Sequence, residues 1–472
     1  MSQPPAHFDV IVIGAGQAGP PLAAKLAKGG RKVALVEARE LGGTCVNWGC
    51  TPTKTLRKSA RVAHMARRAA DFGVRTGEVT VDFVAAMDRM HERVEQSRAG
   101  LREWLCGVDG LTVINARARL DGRSGQDYVV MADDRRLTAP RILLNTGTRP
   151  AIPPIEGLEG VDYLDNESLL ALRERPEHLL IIGGSYIGLE TAQIFRRLGS
   201  RVSVVDGGDR LASREDKDIS AALASLIEAE GIEVHLGREI EGVEREARGG
   251  VRLRLAGGTA LNGSHLLVAT GRTPNTDALG LESVAGIERN DHGYVTTNAQ
   301  LETGAPGIWA LGDINGRGAF THTSYHDHDI VAENMLAEPA PPPRSAEARH
   351  AIYAMFTDPP LGHVGLYEAD ARKLVRQGRK ISQAVIAMEE VSRAKEESET
   401  QGLLKLLIDE ESGKFLGASL LGIDADEIVQ VIGQAMAAST HWRTVRNALP
   451  VHPTVTEFLP TLIDKREPLS AD

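Results

Sequence analysis

The apolar and polar positions at the start of the chain follow the order strand, tight turn, helix, strand. Residues 8–13 form an apolar run interrupted only by Asp9, as expected of a parallel strand that is buried on both faces. A helical pattern follows over residues 22–28, and a second apolar strand over residues 32–36 ends at Glu37. The turn before the helix carries the glycines Gly14, Gly16 and Gly19. Such glycines let the backbone approach a pyrophosphate, and Glu37 is in register to bind a ribose, so the pattern predicts a dinucleotide site.

The same unit returns in the middle of the chain. A strand is predicted over His178–Ile182, a helix over residues 189–198, and a further strand over residues 201–205 that closes at Asp206. The turn between the first two carries Gly183, Gly184, Tyr186 and Gly188. Two such units indicate two bound dinucleotides, with an internal duplication that has kept one inactive site as the alternative.

The acidic end of the second unit bears on the choice of nicotinamide cofactor. Asp206 can bind both hydroxyls of the adenosine ribose but would repel a 2′-phosphate. Arg201, Arg210 and Arg214 lie near it in sequence and could offset that repulsion. The sequence therefore favours NADH and leaves NADPH as the alternative.

The rest of the chain follows a different pattern. Residues 338–344 are rich in proline and predict an exposed connector. From about residue 350 onward, amphipathic strands and helices alternate, among them an apolar helix over residues 426–440 that fits either an interface or a simple core. At 472 residues, the chain is expected to divide into about three domains.

Composition and charge exclude several classes of protein. With 42% hydrophobic and 25% charged residues the chain is typical of a globular protein, and its net charge of −10 argues against nucleic acid as a partner. No apolar run approaches the roughly 18 residues that span a bilayer, and residues 1–8 lack the pattern of a secretory signal. Because there are only three cysteines, we expect a reducing compartment, the cytoplasm.

Cys45 and Cys50 lie just downstream of the first glycine fingerprint, where a disulfide between them would adjoin a bound redox cofactor. This placement favours an electron relay over a zinc site, for which the ligand set is incomplete. Cys106 has no evident partner and is expected to be a buried, inert thiol. His322 and His326 would share a helical face, but a metal site there is disfavoured and no bound metal is expected.

The two dinucleotide units and the thiol segment, residues 42–54, together resemble the flavoprotein disulfide reductase family, which includes dihydrolipoamide dehydrogenase, glutathione reductase and mercuric reductase. The resemblance runs nearly end to end. It implies an α/β fold with two Rossmann-like dinucleotide-binding domains, for FAD and NAD, and a C-terminal α+β dimerisation domain. The implied boundaries are 1–150 and 276–344 for the two parts of the FAD domain, 151–275 for the NAD(P) domain and 345–472 for the dimerisation domain.

The resemblance also assigns the cofactor sites. Residues 144–147 and 269–272 are similar to the family's turns between cofactor domains, and residues 303–313 to its second flavin segment, which places Asp313 on the ribityl chain. The implied FAD site comprises Gly14, Gly16, Gly19, Glu37, Gly43, Thr44, Thr146, Gly147 and Asp313. The implied NAD site comprises Gly183, Gly184, Tyr186, Gly188, Asp206 and Gly271.

A set of catalytic groups follows from the same resemblance. Cys50 would be the sulfur beside the flavin, and Cys45 the outer thiol that attacks the substrate. Tyr186 resembles the family's aromatic gate over the nicotinamide pocket, an ordinary packed aromatic being the alternative. The remaining groups are Lys54 and Glu190, an ion pair beside the flavin, and His452 and Glu457, a base and the carboxylate that orients it. In the family this histidine reaches the disulfide of the opposite subunit, which implies a homodimer with shared active sites.

The choice among family members rests on smaller differences. Residues 466–472 lack the cysteine pair with which mercuric reductases handle metal, and Asp206 disfavours the NADPH-dependent glutathione reductases. Trp48, which either packs against the thiol motif or narrows its pocket, departs from dihydrolipoamide dehydrogenases, as do residues 51–54. Residues 320–325 look more like mercuric-reductase-like proteins. We therefore expect a mercuric-reductase-like enzyme that reduces a small disulfide or a metal ion. Dihydrolipoamide dehydrogenase is the alternative enzyme, and a mainly structural flavoprotein subunit is the alternative from another class.

Overall fold

A computed structural model describes residues 6–246, 249–336 and 343–471. The chain forms two compact units. The first comprises Met1–Thr55, Ala85–Ala151 and Gly271–Arg349, and the second comprises Leu56–Val84, Ile152–Thr270 and His350–Asp472. The helices Cys50–Arg67 and Phe83–Cys106 each have residues in both units.

A parallel five-stranded sheet forms the centre of the first unit. In spatial order its strands are Ile308–Ala310, Ile142–Leu144, Val10–Ile13, Val33–Glu37 and Leu111–Asn115. On one face Val10 and Val12 pack with Leu22 of the helix Gly19–Lys28, and on the other face the intervening isoleucines are equally buried. Burial on both faces explains why this strand reads as a continuous apolar run.

Smaller elements complete the first unit. A four-stranded sheet has the order Ala6–His7, Arg135–Ala139, Asp127–Ala132 and Ala118–Ser124. A two-stranded antiparallel ribbon pairs Thr148–Pro150 with Arg272–Pro274. The helices Gly43–Trp48 and Thr321–Leu336 carry residues of the candidate site.

The second unit contains another parallel five-stranded sheet. Its order is Tyr163–Leu164, His265–Val268, His178–Ile182, Arg201–Asp206 and Glu233–Leu236. Its helices are Tyr186–Leu198 and Lys217–Ala229. A three-stranded antiparallel sheet follows, formed by Ile240–Arg245, Val251–Leu255 and Thr259–Gly263.

A six-stranded antiparallel sheet, called the C-terminal sheet below, is formed by strands that all lie after residue 350. Its order is Ile352–Met355, Leu361–Gly365, Phe415–Leu421, Leu403–Asp409, Ile381–Ala387 and Glu467–Pro468. The accompanying helices are Glu368–Arg376, Ser392–Glu396, Ala425–Ala437, Trp442–Arg446 and Leu459–Asp464.

Most elements expected from the sequence are present with shifted ends. The first helix begins at Gly19 rather than at residue 22, because the last glycine of the loop is itself the first residue with helical backbone. The apolar helix expected over residues 426–440 is Ala425–Ala437, and it packs into the core beside the C-terminal sheet. Most of the proline-rich connector lies outside the described residues, and the domain boundaries stay predictions. None of the helices in the described ranges has the length and apolarity needed to cross a bilayer.

Candidate active site

At two positions of the first glycine loop, only glycine fits. Gly14 has φ +101°, and a Cβ there would lie 2.3 Å from the carbonyl oxygen of Asn145. A Cβ on Gly19 would lie 2.2 Å from the carbonyl oxygen of Gly14. The carboxylate of Glu37 accepts the backbone N–H of Ala15 at 2.7 Å, which fixes it beside the loop. A helix start and a carboxylate so arranged fit the pyrophosphate and adenosine ribose of FAD.

The second loop repeats this geometry. Gly183 has φ +116°, and a Cβ on Gly188 would lie 1.9 Å from the carbonyl oxygen of Gly183. Asp206 accepts the backbone N–H of Gly184 at 2.6 Å and that of Gly208 at 2.7 Å. Both carboxylate oxygens are therefore held at the end of the strand, where they fit the ribose hydroxyls of a nicotinamide dinucleotide.

Asp313 lies in the short helix Gly312–Asn315 of the first unit. Its carboxylate accepts hydrogen bonds from the hydroxyl of Thr148 at 3.2 Å and that of Ser324 at 3.4 Å. Burial raises the pKa of Asp313, and the charge of Arg272 opposes the rise. A largely buried carboxylate with hydroxyl neighbours fits the polar ribityl chain of FAD.

The turns around the two-stranded ribbon hold the other expected cofactor residues. The hydroxyl of Thr146 donates to the carbonyl of Asn275 at 3.0 Å, and the N–H of Asn275 donates to the carbonyl of Gly147 at 2.9 Å. The carbonyl of Gly271 accepts the N–H of Ala151 at 3.0 Å. These reciprocal bonds hold the two turns side by side.

The thiol segment packs directly against the first glycine loop. Gly43, with φ +59°, begins the helix Gly43–Trp48, and a Cβ on it would lie 2.7 Å from the Cα of Gly16. Thr44 is the half-buried second residue of that helix. A side chain at Gly43 would separate the two segments, so this glycine is needed for their contact.

Asn47 is an anchor of this segment that sequence reasoning missed. Its buried amide nitrogen donates to the carbonyls of Leu41 at 3.0 Å and Gly43 at 2.8 Å. Its amide oxygen accepts from the guanidinium of Arg98 at 2.5 Å. The position of Asn47 between the two cysteines was the one available signal.

Both cysteine side chains are present as thiols, with Cys45 half-buried and Cys50 exposed at the start of its helix. A hydrogen bond with Cys50, burial and the charge of Cys50 all raise the pKa of Cys45. Two groups act in the opposite direction, a hydrogen bond from Thr321 and the positive charge of Lys54, one turn after Cys50. The hydroxyl of Thr321 also lies 3.3 Å from the sulfur of Cys50, so it is within reach of both thiols. Thr321 was a further residue that sequence reasoning did not single out.

Thr321→Val is expected to shift the pH at which disulfide turnover reaches half its maximum to a higher value. The hydroxyl lowers the pKa of Cys45, so its removal raises that pKa and reduces the thiolate fraction at a given pH. The measurement is the pH profile of kcat with a disulfide acceptor. Thr321→Ser keeps the hydroxyl and serves as the matched control. An unchanged pH profile in Thr321→Val would contradict the inference that this hydroxyl lowers the pKa of Cys45.

The second unit contains the other expected catalytic groups. Glu190 accepts the backbone N–H of Phe356 at 2.8 Å, and its ion pair with Lys54 stays a prediction. Tyr186, the first residue of its helix, donates its hydroxyl to Glu215 at 2.9 Å.

His452 and Glu457 form the pair that the sequence predicts. The Nδ1 of His452 lies 2.9 Å from the carboxylate of Glu457. The histidine side chain is 76% exposed, so its other ring nitrogen is accessible. Leu449 and Val451 next to it are 97% and 75% exposed, as expected of a surface that another molecule covers.

Comparison with known proteins identifies the family of this chain. Residues 8–327 match the model of the pyridine nucleotide-disulphide oxidoreductases, and residues 352–463 match the dimerisation domain of the same family. The chain belongs to this family. It is therefore an enzyme of the flavoprotein disulfide reductase class, FAD-dependent and using NAD(P)H, with two dinucleotide-binding domains and a dimerisation domain that supports a homodimer.

Individual relatives of the family differ in activity. The chain is 32% identical over 457 residues to the probable pyridine nucleotide-disulfide oxidoreductase RclA of Escherichia coli (strain K12), covering 96% of this chain and 98% of the relative. It is 35% identical over 444 residues to a mercuric reductase of Streptomyces lividans, covering 93% and 92%. It is 33% identical over 457 residues to a dihydrolipoyl dehydrogenase of Chlorobaculum tepidum, covering 96% and 95%.

Solved structures of related flavoproteins share this fold. The HOCl-induced flavoprotein disulfide reductase RclA from Escherichia coli has a TM-score of 0.86 and 32% identity, covering 97% of this chain and 99% of that chain. A Cu(II) complex of RclA matches equally well.

Cys106 and Trp48 lie outside the expected catalytic set. The expectation that Cys106 is buried is wrong, because this last residue of a long helix is exposed. Trp48 stacks against Arg39, whose guanidinium carbon lies 3.9 Å from the ring centroid, so packing is at least one of its roles.

Among the described residues, the acidic side chains that could together hold a metal ion are Asp216, Asp218 and Glu368. The ammonium group of Lys405 already lies among them, 2.7 Å from Asp218 and 2.6 Å from Glu368. The lysine thus takes the place that a cation would have. His326, from the disfavoured histidine cluster, hydrogen-bonds with Arg344 at 3.1 Å.

Proposed function

We propose that the enzyme uses NADH to reduce a small disulfide or a metal ion through the Cys45–Cys50 pair, as a cytoplasmic homodimer with shared active sites. The observation that carries the proposal is the thiol pair itself, held beside the first glycine loop by the Gly43–Gly16 contact and hydrogen-bonded to Thr321. A scaffold subunit has no need of a dithiol placed in this way.

The first glycine loop, Glu37 and Asp313 would hold FAD, which would supply the transfer of two electrons from the nicotinamide to the Cys45–Cys50 disulfide. With two protons, the disulfide would become the reduced thiol pair. The thiolate of Cys45 then attacks one sulfur of the substrate disulfide and expels the other as a thiol. Cys50 attacks the sulfur of Cys45, which restores the disulfide and releases the second substrate thiol. His452, oriented by Glu457, takes the proton of Cys45 and returns it to the leaving thiol.

The raised pKa of Cys45 supports this division of roles. Hydrogen bonding to Cys50 and burial raise the pKa of Cys45. Because the outer thiol thus holds its proton, Cys45 needs a base for its reaction. The exposed His452 is the base that we assign to it.

Asp206→Ser is expected to lower the preference for NADH over NADPH by about tenfold or more. The variant loses the carboxylate whose two oxygens are held for the ribose hydroxyls, and with it the repulsion of a 2′-phosphate. The measurement is kcat/KM with each nucleotide. Asp209→Ser removes a nearby exposed charge and is the matched control. A wild-type enzyme that prefers NADPH would contradict the proposal that Asp206 selects NADH.

The acceptor class is tested by NADH oxidation with oxidised lipoamide, Hg(II) and Cu(II) as separate substrates. We favour the mercuric-reductase-like activity, since RclA forms a Cu(II) complex and a mercuric reductase is among the relatives. Turnover on a metal ion without turnover on lipoamide would support it. Fast, Cys45-dependent lipoamide turnover would instead support the second candidate, dihydrolipoamide dehydrogenase, which the His452–Glu457 pair and the dihydrolipoyl dehydrogenase relatives favour.

A further inference from the structure

Glu215 is a buried carboxylate to which the proposed mechanism gives no role. It is 2% exposed, and one of its oxygens accepts hydrogen bonds from the hydroxyls of Tyr186 at 2.9 Å and Tyr353 at 2.7 Å. Within the described ranges, its second oxygen is buried with no hydrogen-bond partner. Burial of a carboxylate costs free energy unless hydrogen bonds compensate for the lost hydration. The position of this carboxylate against Tyr186 therefore points to a role for Glu215.

A line of hydrogen bonds runs from Glu215 into the C-terminal sheet. Tyr353, in the strand Ile352–Met355, donates its single hydroxyl proton to Glu215, so the hydroxyl of Tyr367 donates to Tyr353. The ring of His363 stacks on both tyrosines, with centroids 5.1 Å and 4.1 Å apart. These contacts fix the position of the Tyr353 hydroxyl and thereby that of the carboxylate.

The residue after Glu215 is held by the same part of the chain. Asp216 accepts the backbone N–H of Glu368 at 2.9 Å, and its other oxygen lies 3.3 Å from the ammonium group of Lys405. Residues 215 and 216 are therefore both tied to elements after residue 350. Glu215 in turn holds the hydroxyl of Tyr186 by a hydrogen bond. Tyr186 lies at the start of the helix that follows the second glycine loop.

We propose that Glu215 is a positioning residue for hydride delivery, which fixes the ring of Tyr186 and so sets the shape of the nicotinamide pocket. The inference rests on the proposed function and on the expectation from the sequence that Tyr186 gates the nicotinamide pocket. Tyr186 is constrained twice, at its hydroxyl by Glu215 and along its ring by an edge-to-face contact with Tyr353 at 5.6 Å. A side chain that is already ordered loses less entropy when a ligand binds, which favours binding of the nucleotide.

The test is a double-mutant cycle with Glu215→Ala and Tyr186→Phe in the full-length enzyme. Each variant breaks the same hydrogen bond, so each is expected to raise KM for NADH by about tenfold with a smaller change in kcat. The two changes are expected to be non-additive, so that the double variant resembles the single ones. KM for the acceptor is expected to stay as in the wild type.

Controls separate positioning from general stability. Glu215→Gln keeps an oxygen that can accept from both tyrosines, so it is expected to restore most of the affinity for NADH and guards against poor folding of the alanine variant. Tyr163→Phe, elsewhere in the second unit, is the matched tyrosine control and should leave KM unchanged. Fully additive effects, or an unchanged KM in Glu215→Ala, would overturn the inference.

The same series distinguishes this inference from the proposed function. If Tyr186→Ala leaves both KM for NADH and the rate of flavin reduction unchanged, the expected place of Tyr186 at the nicotinamide pocket is wrong, whereas NADH-driven turnover through Cys45 would still support the proposed function. If Tyr186→Ala changes them while the Glu215 variants do not, only the inference about Glu215 fails.

Discussion

Cys45→Ser is expected to abolish NADH-driven reduction of a disulfide acceptor, with a loss of roughly three orders of magnitude or more in kcat. A serine hydroxyl is a poor nucleophile toward sulfur and cannot form a disulfide with Cys50, so the relay has no outer group. Reduction of the flavin by NADH does not involve Cys45 and should proceed at the wild-type rate. The measurement pairs steady-state turnover with stopped-flow absorbance of the flavin.

The chain offers a matched control for this substitution. Cys106→Ser replaces an exposed thiol that has no part in the proposed relay, and it should leave turnover unchanged. Cys50→Ser should also stop turnover, and it should remove any long-wavelength absorbance that a thiolate beside the flavin produces. A Cys45→Ser enzyme that turns over at the wild-type rate would contradict the relay. Persistence of the long-wavelength band in Cys50→Ser would move the thiolate to Cys45.

The contacts of the candidate site that could be predicted from the sequence are those between residues close together in the chain. Glu37 and Asp206 each end a strand that pairs with the strand before a glycine loop, and each accepts an N–H from its own loop. Strand, loop and helix follow one another within about thirty residues, so their spacing carries the geometry. His452 and Glu457 are likewise five positions apart and pair directly.

Residues that reach the site from a distance leave no such signal. Thr321 touches Cys50 across 271 positions of the chain, and Glu215 meets Tyr353 across 138. Nothing near either residue in sequence records these contacts, which form only when distant elements pack. The error at Cys106 has another cause: the general tendency of free cysteines to be buried does not determine on which face of a helix one falls.

His452→Gln is expected to lower kcat/KM for a disulfide acceptor by roughly two to four orders of magnitude. Hydrogen bonding to Cys50 and burial raise the pKa of Cys45, so its reaction depends on a group that removes the proton, and glutamine cannot do so. His292→Gln, at another exposed histidine, is the matched control. Glu457→Gln keeps the size of the orienting group without its charge and should cause a smaller loss. A metal-ion acceptor, which needs no proton at a leaving sulfur, should be affected little.

Mixed dimers test whether the site is shared between subunits. If Cys45 reacts with the help of the partner subunit's His452, a dimer of one Cys45→Ser subunit and one His452→Gln subunit keeps one intact site and has lost both groups at the other. Such a dimer, isolated with two different affinity tags, is expected to show about half the wild-type activity, although both parent homodimers are nearly inactive. If the histidine instead served the thiols of its own chain, each site would lack one group and the mixed dimer would be as inactive as its parents. Recovered activity therefore requires the active site to be completed across the dimer interface, which the exposed Leu449 and Val451 beside His452 lead us to expect.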